Sequence, residues 1–371
     1  MSERAPQRRN PRIEVLRLVA IAGISVFHTF QTWFDAATGG TWQASPPALF
    51  ALGLISLLGA YGNHVFFLIS GYFLVPRAAA AARDPGYWAD QARRTARRAL
   101  PILASVLLYA LLALAVSTWL VPMERVSLAK TQWLVGGLQF IWVYLAVVVA
   151  TPVIGLVWAH VRRPRIAVAV LVALVFAVNA YIAFVSPGSE ERGLLEWRKL
   201  MSAVSYLVAF LTGGALSGRA LPRTRALLGA CVGAALLTES VAGLSGNTAL
   251  LAALSFKSTS LVSFALAVAS LAVAAGLSAD GADRRPEGEK TTRLARLACE
   301  LTPSILGFYV VQSLFGSIWH PLVDDLCTAA LAYGEAALLV VGVVASLVFL
   351  ACVLAFDRLV RIPLLRLLHL A

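Results

Sequence analysis

Ten long apolar runs, separated by short hydrophilic segments, constrain the fold of this chain more than any other feature of its sequence. An α-helix needs about 20 apolar residues to cross a bilayer, and each run has or approaches that length. Only 13% of the residues are charged, against about 25% in a typical soluble domain. The sequence therefore predicts an all-α, polytopic membrane protein with about ten transmembrane helices. The runs are residues 13–34, 50–76, 99–121, 135–159, 165–185, 201–218, 226–243, 259–278, 301–320 and 335–356.

Basic residues are distributed unevenly between the two ends of these runs. The connections on one side, together with the N-terminal stretch up to Arg17 and the C-terminal segment, hold 25 of the 31 lysines and arginines. Because cytoplasmic loops carry an excess of basic residues, both termini are predicted to lie in the cytoplasm. The same rule accounts for the net charge of +12 without a nucleic-acid partner. The expected partner is instead the lipid bilayer.

One folded unit is expected to cover residues 1–371, because no hydrophilic segment is long enough for a second domain. The longest such segment, 279–297, is predicted to be a flexible cytoplasmic loop, since its first part has no apolar periodicity. The four cysteines form no CxxC pair, so no metal site is predicted. No internal repeat is evident, which disfavours an inverted-repeat transporter.

Three ionisable residues interrupt the first apolar run, namely Glu14, Arg17 and His28. On a helix, Arg17 and His28 differ by only about 20° in direction and lie roughly 16 Å apart along one face. A polar stripe is costly against lipid, so we expect it to face one shared cavity inside the protein. Two simpler interpretations stay open. Glu14 and Arg17 could form a pair at the lipid headgroups, and His28 could be a buried neutral imidazole that contacts a backbone carbonyl.

This opening stretch resembles that of the membrane acyltransferase family 3. Members of that family begin the first span with an acidic residue, a Leu-Arg pair and a histidine that follows the arginine after ten intervening residues. Here Glu14, Leu16-Arg17 and His28 match that pattern. The resemblance implies that Glu14, Arg17 and His28 are catalytic residues.

The second and third runs continue the resemblance. The segment HVFFLISGYFLV, residues 64–75, matches a family segment in which Ser70 and Tyr72 are expected to bind the cofactor. Gly71 between them would let another helix backbone approach closely, and ordinary packing is the simpler interpretation of Ser70. The next match is a basic stripe that ends at Pro101. It is either a plain stop-transfer cluster or a clamp for the phosphates of coenzyme A, formed by Arg93, Arg94, Arg97 and Arg98.

Two later segments extend the resemblance over nearly the whole chain. They are FIWVYLAVVVATPVIG, residues 140–155, and TPSILGFYVVQSLF, residues 302–315. The chain departs from the family at two positions, because the usual late histidine is replaced by glutamine and a histidine precedes Val65. The residues expected to line the substrate cavity are His64, Trp142, Tyr144, Tyr309 and Gln312.

The resemblance implies an integral membrane O-acyltransferase of the cell membrane, here a bacterial plasma membrane. Its donor would be cytoplasmic acetyl-CoA or another acyl-CoA, without a metal, and its acceptor a hydroxyl of an extracytoplasmic glycan or lipid-linked sugar. His28 would act as a general base or carry the acyl group transiently. The alternative is a multi-pass transporter that uses intramembrane His and Glu residues for protons or substrate. The sequence leaves the acceptor, the acyl chain and the oligomeric state open.

Overall fold

The computed structural model describes residues 10–123, 126–129, 132–185, 194–255, 260–279 and 292–370. These residues form α-helices and connecting turns, and within them no β-strand occurs, only isolated bridges such as the one between Leu221 and Ser278. The helices are α1 (Pro11–Thr38), α2 (Pro46–Ala81), α3 (Tyr87–Trp119), α4 (Gln132–Val135), α5 (Gln139–His160), α6 (Pro164–Phe184), α7 (Leu194–Leu216), α8 (Thr224–Leu244), α9 (Thr248–Ser255), α10 (Leu261–Ala274), α11 (Arg293–Leu301), α12 (Ile305–Leu314), α13 (Gly316–Leu331), α14 (Glu335–Leu359) and α15 (Arg361–Leu367).

Each predicted apolar run corresponds to a helix or, for residues 301–320, to two successive helices. Among the described residues, eight helical segments are long and apolar enough to cross a membrane: α1, α2, α3, α5, α6, α8, the α11–α12 segment and the α14–α15 segment. Two shorter apolar helices, Leu200–Leu216 and Leu261–Ala274, account for the remaining two runs. The prediction of an all-α, polytopic membrane protein is therefore confirmed.

The largest difference from the predicted runs lies between residues 292 and 331. The predicted loop 279–297 ends earlier than expected, because α11 begins at Arg293, while residues 280–291 lie outside the described part of the chain. The run 301–320 is also not one helix. It is interrupted by a 3₁₀ turn at Thr302–Ser304, where Pro303 lacks the N–H that a continuous helix needs, and a new helix, α13, begins at Gly316.

The long helix α2 occupies the centre of the bundle and packs against α1, α5, α7, α8 and α10. Its backbone touches that of α7, because a Cβ atom added to Gly71 would collide with the carbonyl of Phe210. The contact is reciprocal, since a Cβ atom on Gly213 of α7 would collide with the carbonyl of Leu68. The close approach that Gly71 predicts is therefore confirmed, and small residues are what permit it.

The two described ends of the chain lie at the same end of the bundle. At the beginning of α1, the Asn10 side chain donates to the Ala274 carbonyl at 3.3 Å. At the beginning of α15, Arg361 donates to the Pro303 carbonyl at 2.6 Å. Arg17, the first turns of α3 and Thr302 also surround one cavity. We call this the arginine end, and this placement agrees with the even number of crossings predicted from the sequence.

Candidate active site

Glu14 and Arg17 form an ion pair within the protein. Arg17 Nη1 lies 3.1 Å from Glu14 Oε1 and 3.2 Å from Glu14 Oε2. The Glu14 side chain is only 6% exposed and that of Arg17 is 26% exposed. The carboxylate therefore holds the guanidinium from one side, and the accessible part of the guanidinium borders a cavity. This geometry disfavours the simpler interpretation in which both side chains reach out to the lipid headgroups.

That cavity has a volume of about 430 Å³ and lies between α1, α2, α3, α5 and α12. Three guanidinium groups border it, those of Arg17, Arg97 and Arg98, together with the hydroxyl-bearing side chains of Ser70, Thr302, Tyr144 and Tyr309. Most of the remaining wall is apolar. We call it the donor cavity, because Arg97 and Arg98, two of the four arginines predicted to hold the donor, line it.

Hydroxyl and amide groups continue from the donor cavity into the core. Ser70 Oγ donates to the Tyr144 hydroxyl at 3.3 Å. The Tyr309 hydroxyl donates to Asn63 Oδ1 at 3.3 Å, and Asn63 Nδ2 donates to the Tyr206 hydroxyl at 2.9 Å. The Tyr309 ring also stacks on Phe140, with centroids 4.3 Å apart. These contacts fix the orientation of Tyr309, so that its position in the cavity wall is held by packing as well as by hydrogen bonding.

The structure divides the predicted arginine clamp into two pairs. Arg97 and Arg98 line the donor cavity. Arg93 and Arg94 are exposed and lie outside the lining residues, and Arg93 is 3.9 Å from Asp90 in a surface ion pair. The division follows the helix, because residues four apart lie one turn apart along the axis. Only Arg97 and Arg98 extend far enough along α3 to line the same cavity as Arg17.

Two predicted residues of the site face away from the donor cavity. Tyr72 is two positions after Ser70 and therefore points about 200° away from it on α2. Its ring packs against Phe73. Trp142 is likewise two positions before Tyr144, and its Nε1 donates to the Leu134 carbonyl at 2.8 Å, between α4 and α5. Neither side chain is among the residues that line the cavity.

His64 and Gln312 are buried elsewhere in the bundle. The His64 imidazole is surrounded by the rings of Phe176, Tyr206 and Phe264, with centroids 5.4 to 6.5 Å away. The backbone carbonyl of Gln312 accepts a hydrogen bond from Trp319 Nε1 at 3.0 Å. Neither residue lines the donor cavity, so the structure does not bring them together with Tyr144 and Tyr309.

His28 is half-buried beside the ring of Phe27 and does not line the donor cavity. Ile21 and Ile24 occupy the same stripe of α1 between Arg17 and His28, with exposures of 0% and 1%. They belong to an apolar cluster that also includes Phe308 of α12. Along this stripe, two packed side chains therefore separate Arg17 from His28. Its two polar ends are separated because the intervening stripe positions are isoleucines that pack into the core.

Sequence reasoning missed a buried polar network at the arginine end. Arg361 Nε donates to Asp357 Oδ1 at 2.6 Å, and Arg361 Nη2 donates to Asp357 Oδ2 at 2.8 Å. The Tyr109 hydroxyl donates to Asp357 Oδ1 at 2.7 Å. The only signal in the sequence is the spacing of four residues between an acid and an arginine at the end of the last apolar run.

This network supports two walls of the donor cavity. Arg361 donates to the Pro303 carbonyl at 2.6 Å and to Ser105 Oγ at 3.2 Å. Ser105 in turn donates to the Pro101 carbonyl at 2.5 Å. Pro101 on α3 and Thr302, which precedes Pro303, both line the cavity. A single guanidinium thus connects the α3 wall to the turn that precedes α12.

Comparison with known families identifies the chain at the level of a family. The family model described as an acyltransferase domain matches residues 10–356. No curated protein and no solved structure matches the chain significantly. The matched region begins just before Glu14 and Arg17 and contains every residue that lines the donor cavity. Because the match covers nearly the entire chain, the protein belongs to the acyltransferase 3 family and is a membrane acyltransferase.

Proposed function

We propose that the protein is an O-acyltransferase that moves an acyl group, expected to be acetyl, from cytoplasmic acyl-CoA to a hydroxyl of an extracytoplasmic glycan or glycolipid. The observation that carries this proposal is the convergence of Arg17, Arg97 and Arg98 on the donor cavity. Coenzyme A carries a 3′-phosphate and a pyrophosphate, and planar guanidinium groups bind such anions with paired hydrogen bonds. We further propose that the protein works in the plasma membrane of a bacterium.

The lining of the donor cavity suits the rest of the donor. The pantetheine arm of coenzyme A is long and narrow and alternates amide groups with methylene groups. Apolar walls with the hydroxyl groups of Ser70, Tyr144 and Tyr309 offer it both packing and hydrogen bonds. The arm would therefore enter at the arginine end and lead the thioester toward the middle of α1.

In the transfer step, the acceptor oxygen bonds to the acyl carbon, the carbon–sulfur bond breaks, and coenzyme A leaves as the thiolate. His28 would take the proton of the acceptor hydroxyl and pass it to the departing sulfur. In the second route, an imidazole nitrogen of His28 attacks the acyl carbon, the carbon–sulfur bond breaks, and coenzyme A is released as the thiolate. The acceptor oxygen then takes the acyl group from the imidazole, and the acceptor proton passes to the thiolate. Both routes require the thioester to pass Ile21 and Ile24, because these two side chains lie between Arg17 and His28.

Purified protein in proteoliposomes tests the donor site directly. Replacing Arg97→Gln and Arg98→Gln together should raise the KM for acyl-CoA by at least about tenfold for each charged hydrogen bond lost. The matched control is Arg93→Gln with Arg94→Gln, which removes the same charge from the same helix outside the cavity. An equal rise in KM in the control would show that the effect is general surface attraction and would contradict the assignment of the donor site.

Mass spectrometry of cell-envelope glycans tests the reaction itself. Deletion of the gene should remove an acyl mass increment from one glycan, and expression of His28→Ala should fail to restore it while the protein still accumulates in the membrane. An increment that persists after deletion would contradict the proposed acceptor class. Substrate uptake without any acylated product would favour the transporter alternative.

A further inference from the structure

A second basic cavity lies beside the end of α2 and shares no lining residue with the donor cavity. It has a volume of about 340 Å³. Four guanidinium groups border it, and they come from the connection between α5 and α6, from the first turn of α6 and from the segment just after α7. They belong to Arg162, Arg163, Arg165 and Arg219.

The described residues that line this cavity carry positive charge only. None of its lining residues is an Asp or Glu. Arg165 Nη2 donates to the Ser217 carbonyl at 3.2 Å, a contact that positions the side chain without neutralising it. Retention of basic residues on the cytoplasmic side explains why arginines are abundant here. It does not explain why two stretches far apart in the sequence, 162–165 and the segment just after α7, direct their arginines to one cavity. Four like charges so close together favour an anion between them.

The other part of the cavity wall is apolar. Trp158, Pro76 and Ile166 line it, and tryptophan is favoured where hydrocarbon meets the headgroups of a bilayer. Ile166 is 54% exposed, and the apolar surface continues along the exposed faces of α5 and α6 through Val157 and Val170. These two helices are both candidate membrane spans. The cavity is therefore basic where it meets the arginine end and apolar where it meets the membrane-facing surface.

We propose that Arg162, Arg163, Arg165 and Arg219 bind the phosphate headgroup of an anionic phospholipid whose acyl chains lie along α5 and α6. Basic pockets between transmembrane helices on the cytoplasmic side recognise such headgroups, and guanidinium forks match the oxygen geometry of a phosphate. A soluble phosphate would use the arginines alone. The adjoining apolar surface is what favours a lipid over a soluble phosphate.

The position of this site gives the bound lipid a structural consequence. Pro76 lines the lipid site, while Phe73 and Leu74, in the preceding turn of α2, line the donor cavity. Gly214 also lines the lipid site, and a Cβ atom there would contact the Val75 side chain at 2.8 Å. The bound lipid would thus pack against the outer side of the interface between α2 and α7. Since a ligand of the folded state stabilises that state, lipid binding should raise the unfolding temperature.

Full-length protein in a neutral detergent provides the test. Phosphatidylglycerol and phosphatidylcholine with identical acyl chains are titrated separately, with bound lipid counted by native mass spectrometry and the unfolding temperature followed by tryptophan fluorescence. We expect phosphatidylglycerol to bind and to raise the unfolding temperature more than phosphatidylcholine does. The double variant Arg162→Gln, Arg219→Gln should bind phosphatidylglycerol roughly 30-fold more weakly. Each of the two arginines is expected to contribute a similar factor to the affinity for the anionic headgroup.

The matched control is Arg293→Gln with Arg296→Gln on α11, which removes the same charge at residues outside this cavity. This control should keep the binding of phosphatidylglycerol seen in the unmodified protein. Equal effects of the two lipids, or equal losses in the two double variants, would overturn the proposal. Inorganic phosphate is tested alone at the same concentrations, and a matching rise in unfolding temperature would assign the cavity to a soluble phosphate and refute the lipid.

Discussion

Breaking the Asp357–Arg361 pair on one side should destabilise the protein far more than replacing both partners. Asp357 is fully buried and Arg361 is 4% exposed, so neither charge is shared with water. In Asp357→Leu, the guanidinium keeps only two neutral acceptors, the Pro303 carbonyl and Ser105 Oγ. Leaving one buried charge of a pair uncompensated costs about 3–5 kcal/mol.

The double variant Asp357→Leu with Arg361→Met removes both charges and keeps apolar volume in their place. Substitutions of this kind are often neutral or even stabilising, so the double variant should unfold within about 1 kcal/mol of the unmodified protein. Tyr109→Phe removes one hydrogen bond to a charged group and should cost about 1.5 kcal/mol. The expected order of destabilisation is therefore Asp357→Leu, then Tyr109→Phe, then the double variant.

Titration with sodium dodecyl sulfate in mixed micelles, followed by tryptophan fluorescence, measures these differences. The size of the non-additivity is the decisive quantity, because it isolates the coupling between Asp357 and Arg361. A double variant that is less stable than Asp357→Leu would refute the reasoning, since it would mean that the pair stabilises the fold beyond compensating its own burial. A single variant within about 1 kcal/mol of the unmodified protein would refute the burial on which the estimate rests.

Two further predictions concern the helix contacts around the site. Gly71→Ala should reduce folded protein in size-exclusion chromatography, because the added methyl group would collide with the Phe210 carbonyl, whereas Gly229→Ala should leave the yield unchanged, since open space surrounds that position. Ile24→Phe should lower kcat for acyl transfer while leaving the KM for acyl-CoA unchanged, because Ile24 lies beyond the donor cavity on the way to His28. Ile24→Ala should retain or raise kcat in the same assay. If either Ile24 variant changed KM more than kcat, this would contradict the placement of Ile24 between the donor cavity and His28.

The sequence predicted the helical architecture well, because the relevant signals are local. Length and hydropathy fix where a helix can cross a bilayer, and the arginine distribution fixes the alternation. The two short apolar helices at Leu200–Leu216 and Leu261–Ala274 show the limit of this approach, since the predicted runs included residues that the helices leave out. Pro303 was visible in the sequence, but the separation of α12 from α13 near Gly316 was not predicted.

The site was predicted less completely, because a family pattern assigns positions without their directions. Arg17, Arg97 and Ser70 reach the donor cavity, whereas Tyr72 lies on the other face of α2. The 100° turn between successive helical residues was sufficient to separate Ser70 from Tyr72. The contacts of Arg361 with Ser105 and Pro303 could not be predicted from helix geometry, since only the tertiary fold brings these residues together.

The backbone contact between α2 and α7 determines where this protein can move. With a carbonyl of each helix seated against a glycine of the other, neither can rotate or slide by the width of a methyl group without steric overlap. We therefore expect α2 and α7 to move together as one rigid unit. Ser70 and Phe73, which line the donor cavity, belong to this unit. In the proposed reaction, a thioester that reaches His28 would have to pass between α1 and α12, where Ile21 and Ile24 belong to the same apolar cluster as Phe308.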